Sequence, residues 1–221
     1  MAEEDIAISE KLLMAICSKN AEIVRMLLDA NADVSATNKD GNTALFVALN
    51  GIKRIITDEL TYPGFIQIAK SLQANIVPVS LDNTNTIAIQ NLNEILEKNI
   101  NTKLIYTIPE GHNPLGTSLT KSKRLQLINI AHSYKIPIVE DDAYGFINYK
   151  KLESPLRSNC SKSVIYIGSF SKILSPATRV GWIIVSEELI EKLEILKEGI
   201  DINTATLAQH ILSSYLAYLS I

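Results

Sequence analysis

The chain has 221 residues, 47 % hydrophobic and 20 % charged, which supports a sizeable buried core and excludes a disordered chain. Its 21 basic and 24 acidic residues leave a net charge of −3 with no long block of either sign, so it has no electrostatic footprint for nucleic acid and none is expected as a partner. The acidic start, MAEEDIAISE, is unlike a basic secretory leader, and no apolar run reaches the roughly 18 residues of a membrane span, so the expectation is a cytoplasmic protein without a membrane partner. Cys17 and Cys160 lack CxxC spacing and neighbouring histidines, so they read as reduced thiols and no metal site is expected.

In chain order, the first 50 residues read as helices joined by polar turns, with Leu12, Leu13 and Ile16, then Ile23, Val24, Leu27 and Leu28, recurring at helical spacing. The stretch from Asn20 to Gly51, NAEIVRMLLDANADVSATNKDGNTALFVALNG, resembles an ankyrin repeat. By that resemblance EIV..LL is a packing helix, DANADV a turn, and DGNTAL the opening of a second repeat, capped by Thr43. Such units bury their apolar faces by stacking, and about three are normally needed. One full repeat and the start of another is a small recognition surface, through which a protein partner is conceivable.

From Lys53 onward, apolar runs fall at Arg54–Thr57, Ile76–Val79, Leu104–Thr107, Ile136–Val139, Val164–Ile167 and Trp182–Val185. Helical patterns fall at Phe65–Leu72, Leu92–Leu96, Lys121–Ser133, Glu187–Lys197 and Thr206–Leu219. This alternation predicts an α/β fold: a mostly parallel sheet sandwiched by helices, preceded by the short ankyrin-like helical segment. The two parts are expected at 1–52 and 53–221. In such sheets ligands sit beyond the carboxyl ends of the strands, so chemistry is sought just after each apolar run.

Three of those places carry unusual residues: IPEGHNPLG after Leu104–Thr107, EDDAYG after Ile136–Val139, and GSFSK, ending at Lys172, after Val164–Ile167. A serine-lined turn after an apolar strand suits a lysine that must be partly desolvated, or flanked by cations, to lose its proton and attack a carbonyl.

Four longer segments, TYPGF (Thr61–Phe65), YTIPEGHNPLG (Tyr106–Gly116), PIVEDDAYG (Pro137–Gly145) and GSFSKILSPATRVGW (Gly168–Trp182), together resemble the fold-type I, pyridoxal-phosphate-dependent aminotransferases. The resemblance is to the multi-substrate subgroup related to the α-aminoadipate and kynurenine aminotransferases, and it spans roughly Ile55 to Tyr215. It implies pyridoxal 5'-phosphate as cofactor, an amino acid and a 2-oxo acid as substrates, and a homodimer. It also implies that Lys172 is the catalytic residue, holding the cofactor as an imine and then moving a proton between substrate carbon and cofactor carbon. Asp141 would pair with the protonated ring nitrogen, while Asp142 would point the other way and be structural. Asn113 and Tyr144 would bond the phenolic oxygen, Tyr62 would stack on the ring, and Ser169, Ser171 and Arg179 would hold the phosphate.

The sequence also departs from the family. The glycine-rich helix start that grips the phosphate has no counterpart before TYPGF, and the join between the two patterns falls near Gly51. The chain stops at Ile221, ahead of the small domain that in the family presents an arginine to the substrate carboxylate. Leu60 stands where a small residue or proline is usual, and His112 where glutamine is usual and close enough to touch a ligand, a substitution read as incidental. Three readings therefore stay open: a transaminase, an ankyrin-type interaction module fused to a non-catalytic aminotransferase remnant, and a truncated or fused product with weak or no cofactor binding. Descent from an aminotransferase is better supported at this point than catalysis by this chain alone.

Overall fold

The computed structural model describes residues 54–98, 102–147 and 153–219; the ankyrin-like segment and Cys17 lie outside them. In chain order the elements are β1 (Arg54–Asp58), α1 (Pro63–Ser71), β2 (Asn75–Val79), α2 (Ile89–Lys98), β3 (Thr102–Thr107), α3 (Lys121–Ser133), β4 (Ile138–Asp142), α4 (Leu156–Asn159), β5 (Val164–Ser169), β6 (Gly181–Ile184), α5 (Glu187–Asp201) and α6 (Thr206–Leu219). Short 3-10 turns lie at Gly145–Ile147 and Pro176–Thr178.

The strands form one sheet in the order β2-β1-β3-β4-β5-β6. Pairing is parallel from β1 through β3 and β4 to β5, and β6 closes the edge antiparallel. The expected mostly parallel sheet with helices is thus present. Strand order reverses beside β1, and the crevice at such a reversal is where open α/β sheets place ligands.

The core explains why these runs pair in this register. Ile56 lies opposite Ile105, Ile105 opposite Ile138, and Ile138 opposite Val164, which gives one apolar row across four strands. Leu92 and Leu96 of α2, Leu127, Ile128 and Ala131 of α3, and Leu156 of α4 pack with that row in one buried cluster. Side chains alternate between sheet faces, so a one-residue slip would turn the whole row out of the core.

Toward the carboxyl ends the core-side face turns polar without losing burial. Glu140 accepts hydrogen bonds from the amides of Leu156 (2.7 Å) and Arg157 (3.0 Å), and so satisfies the start of α4 where Pro155 offers no side-chain cap. Asp142 accepts from the Gly145 amide at 2.8 Å and from the Tyr166 hydroxyl at 2.8 Å, which confirms its structural placement. A Cβ at Gly145 would meet that carboxylate, so any larger residue there requires the Asp142 side chain to shift.

Two strand ends correct the sequence reading: GSFSK was expected to follow its strand, but Gly168 and Ser169 close β5. EDDAYG was expected to follow its strand, but Glu140, Asp141 and Asp142 lie inside β4, paired with Tyr166, Ile167 and Gly168. Hydropathy ends a strand at the first acid, whereas the ladder continues wherever each acid finds a donor. Among the described residues, no helix is long and apolar enough to cross a membrane.

Candidate active site

Several of the expected residues lie toward the carboxyl ends of the strands, with Asp141 and Ser169 on the sheet face opposite the core. Tyr106 pairs with Val139, and Asp141, two residues further along β4, shares its face. The Tyr106 hydroxyl donates to Asp141 Oδ2 at 2.6 Å. Asp141 pairs with Ile167, so Ser169 follows on the same face at the end of β5.

Asn113 is carried by the loop after β3, which is tied down over its whole length. The His112 amide donates to Thr117 O at 2.7 Å, the Gly116 amide to His112 O at 2.5 Å, and the Gly111 amide to Ser118 Oγ at 3.2 Å. Arg124 of α3, only 3 % exposed, donates to Leu119 O (2.9 Å) and Pro109 O (3.0 Å) and forms an ion pair with Glu110. Held this way, Asn113 Nδ2 donates to the Tyr144 hydroxyl at 3.4 Å.

Lys172 follows β5 through a turn in which the Ser171 amide donates to Ser169 Oγ at 3.1 Å and the Phe170 amide to Val180 O at 3.1 Å. Its Nζ lies 5.9 Å from the centre of the Tyr144 ring. Asn113, Tyr144 and Lys172 are therefore brought together, as are Ser169 and Ser171. Lys172 is exposed, so burial does not supply the desolvation expected of it. Arg179 sits in the left-handed region (φ 49°, ψ 34°) after the Pro176–Thr178 turn and is exposed, with no side-chain hydrogen bond or ion pair among the described residues.

Tyr62 is 43 % exposed and folds back over Gly64, where a Cβ would lie 2.5 Å from its Cε1. The aromatic of TYPGF that is engaged is Phe65, which stacks on Tyr106 with ring centres 3.6 Å apart and planes 3° from parallel. Tyr106 was given no role from sequence. The signal that finds it is strand register, which sets its side chain beside Asp141. His112 turns away from the ligand side: it is 6 % exposed, with Nε2 3.5 Å from Asp58 Oδ2, which also accepts from Thr107 Oγ1 at 3.3 Å. His132 and His210 are exposed.

Burial raises the Asp141 pKa above the usual carboxylate value; the Tyr106 hydrogen bond opposes that rise and the Asp142 charge adds to it. The folded chain then keeps a proton on Asp141 to higher pH than the unfolded chain does, so stability falls as pH rises from the ordinary value of 3.8 through the raised one. Asp141→Asn is expected to flatten that fall. Urea unfolding, followed through the fluorescence of Trp182, the one tryptophan, checks it; an unchanged pH slope would refute the assignment.

The model of the family described as aminotransferase class I and II matches residues 35–218, and the ankyrin repeat model matches residues 12–39. Aromatic-amino-acid aminotransferase 1 of Thermococcus litoralis is 34 % identical over 166 residues, covering 73 % of this chain and 40 % of that protein. The mitochondrial kynurenine/alpha-aminoadipate aminotransferase of Bos taurus is 31 % identical over 196 residues, covering 83 % of this chain and 46 % of its own length. Among solved structures, the multiple substrate aminotransferase of Thermococcus profundus superposes with a TM-score of 0.72 at 32 % identity, covering 76 % of this chain and 43 % of that one. The chain thus spans less than half the length of the relatives it matches.

Proposed function

Because the chain belongs to the class I and II aminotransferases, we propose that it binds pyridoxal 5'-phosphate through Lys172 and moves an amino group between an amino acid and a 2-oxo acid. The observation that carries this reading is the Asn113–Tyr144–Lys172 cluster beside an Asp141 with only one oxygen engaged.

The donor set fits the cofactor. Among the described residues Asp141 Oδ1 has no hydrogen-bond partner, which suits a protonated ring nitrogen. Arg179 is a cation without a carboxylate partner there, which suits a phosphate, and the Lys172 amine has no carboxylate beside it either, which suits attack on a carbonyl carbon once it is neutral. When bound, the cofactor supplies an electron sink that depends on a protonated ring.

This chain's residues then divide the remaining work. Asp141 holds the ring nitrogen, and Asn113 and Tyr144 hold the phenolic oxygen. Ser169, Ser171 and Arg179 hold the phosphate, and Tyr62 covers one face of the ring. The Lys172 amine would take up the proton from the substrate carbon and hold it for return, as general base and then acid. The active form in this reading is a cytoplasmic homodimer, with 53–221 as the cofactor-binding part and 1–52 as the ankyrin-like part. The ankyrin match at 12–39 supports a protein partner for the latter.

Adding pyridoxal phosphate to the purified chain is expected to give the yellow absorption of a lysine-bound cofactor, absent in Lys172→Ala. Amino acids should then bleach it. No band, or one indifferent to the substitution, would refute cofactor attachment; a band that no amino acid bleaches would reduce the reading to cofactor binding. Sedimentation as a monomer would contradict the dimer.

A further inference from the structure

We propose that Tyr106 is a positioning residue for Asp141: its buried hydroxyl fixes one carboxylate oxygen and leaves the other as the only acceptor offered to the cofactor's ring nitrogen. This rests on the cofactor reading above, but its central claim concerns the chain by itself.

Geometry carries it. Tyr106 is 2 % exposed, and its ring is clamped by the parallel stack with Phe65. A clamped ring has one place for its hydroxyl, and that place is 2.6 Å from Asp141 Oδ2. Among the described residues no other group donates to Asp141, because Asp142, on the opposite face, uses the Gly145 amide and the Tyr166 hydroxyl. The carboxylate is therefore oriented by one bond from β3 and not by its own strand or the turn after it.

The electrostatics agree in sign. The titratable groups around the pair are Asp142 beside Asp141, and Asp58 and Tyr62, whose charges act on Tyr106. Burial raises both partners, so each resists ionisation. Their hydrogen bond lowers the carboxyl and raises the phenol further, which keeps the proton on the tyrosine and the charge on the aspartate. A cation arriving at the free oxygen then meets a carboxylate already aimed.

The experiment uses the full chain without cofactor. Carboxyl resonances are followed by carbon NMR against pH, with Asp141 identified by its loss in Asp141→Asn. In Tyr106→Phe, which keeps the stacking ring and removes only the hydroxyl, Asp141 is expected to bind its proton roughly tenfold or more tightly than in the wild type. An unchanged Asp141 titration would overturn the proposal. Phe65→Leu loosens the packing but keeps the hydroxyl, so a shift there as large as in Tyr106→Phe would also overturn it, by assigning the effect to packing. Where the wild type shows the yellow band, Tyr106→Phe should keep it but need about tenfold more pyridoxal phosphate; equal affinity would overturn the positioning role. A wild type without a band refutes the cofactor reading and leaves the carboxyl titration to decide the role of Tyr106.

Discussion

Replacing Arg124 with methionine is expected to lower the unfolding free energy by about 3–5 kcal/mol, the range for stranding one partner of a buried ion pair. Arg124 and Glu110 are 3 % and 7 % exposed, so neither charge can turn to solvent when the other is lost. The guanidinium also serves the carbonyls of Leu119, Pro109 and Ser154, and methionine serves none of them. Glu110 would keep the Ser118 hydroxyl, at 2.5 Å, but lose the guanidinium. With a urea slope of about 1–3 kcal/mol per molar, the midpoint should fall by roughly 1 M or more. The double variant Arg124→Met, Glu110→Leu removes both charges and should recover much of the loss, because pairing and desolvation vanish together. A single variant as stable as the wild type would refute the burial argument. Arg124 fastens both ends of the Asn113 loop, so the single variant should also weaken any cofactor band.

Glu140→Leu should cost about 2–3 kcal/mol near neutral pH, for a different reason. The carboxylate, 1 % exposed, is the acceptor for two amides at the start of α4, and leaving both unpaired costs roughly 1–3 kcal/mol each. Removing a desolvated charge offsets part of that. Burial raises the Glu140 pKa and the Asp142 charge adds to the rise, while the two amides and the Arg124 charge work against it. The folded chain therefore holds that proton to higher pH than the unfolded one, and the wild type gains stability as pH falls toward the ordinary value of 4.5. Leucine cannot follow, so the deficit of the variant should widen in acid. A deficit that narrows instead would show that Glu140 is stabilised as a carboxylate. Because the Arg124 charge acts on Glu140, the two substitutions should not be additive.

How much of this was legible in the sequence depended on whether the signal was local. The α3 and α6 bounds fell where periodicity put them, and for α3 a local cap is the reason, since Thr120 Oγ1 accepts from the Lys123 amide. Lys172 and Asn113 stand out because each lies in a motif near the end of its own strand, and Asp141 and Tyr144 because they share the EDDAYG segment. The end of β4 was misplaced because whether an acid continues a strand is decided by donors on another chain segment, here Leu156 and Arg157 for Glu140. Tyr106 was overlooked for the same reason, since its partner lies 35 residues away and only register brings the two together. The exposure of Lys172 could not be read either, because a serine-rich turn specifies conformation and not what covers it.

Three acids in succession, Glu140, Asp141 and Asp142, have an implication for insertions and deletions. A shift by one position would still present some carboxylate to either side of the sheet, so acidity alone cannot record which frame is correct. That record is kept by Ile138, which has a place only in the row with Ile105 and Val164. A lineage that gained or lost one residue between Ile138 and Asp141 would still set an acid beside Tyr106, Glu140 after a gain and Asp142 after a loss, but would change the side chain that faces the amides of Leu156 and Arg157. Such a relative would look intact by composition and differ by alignment.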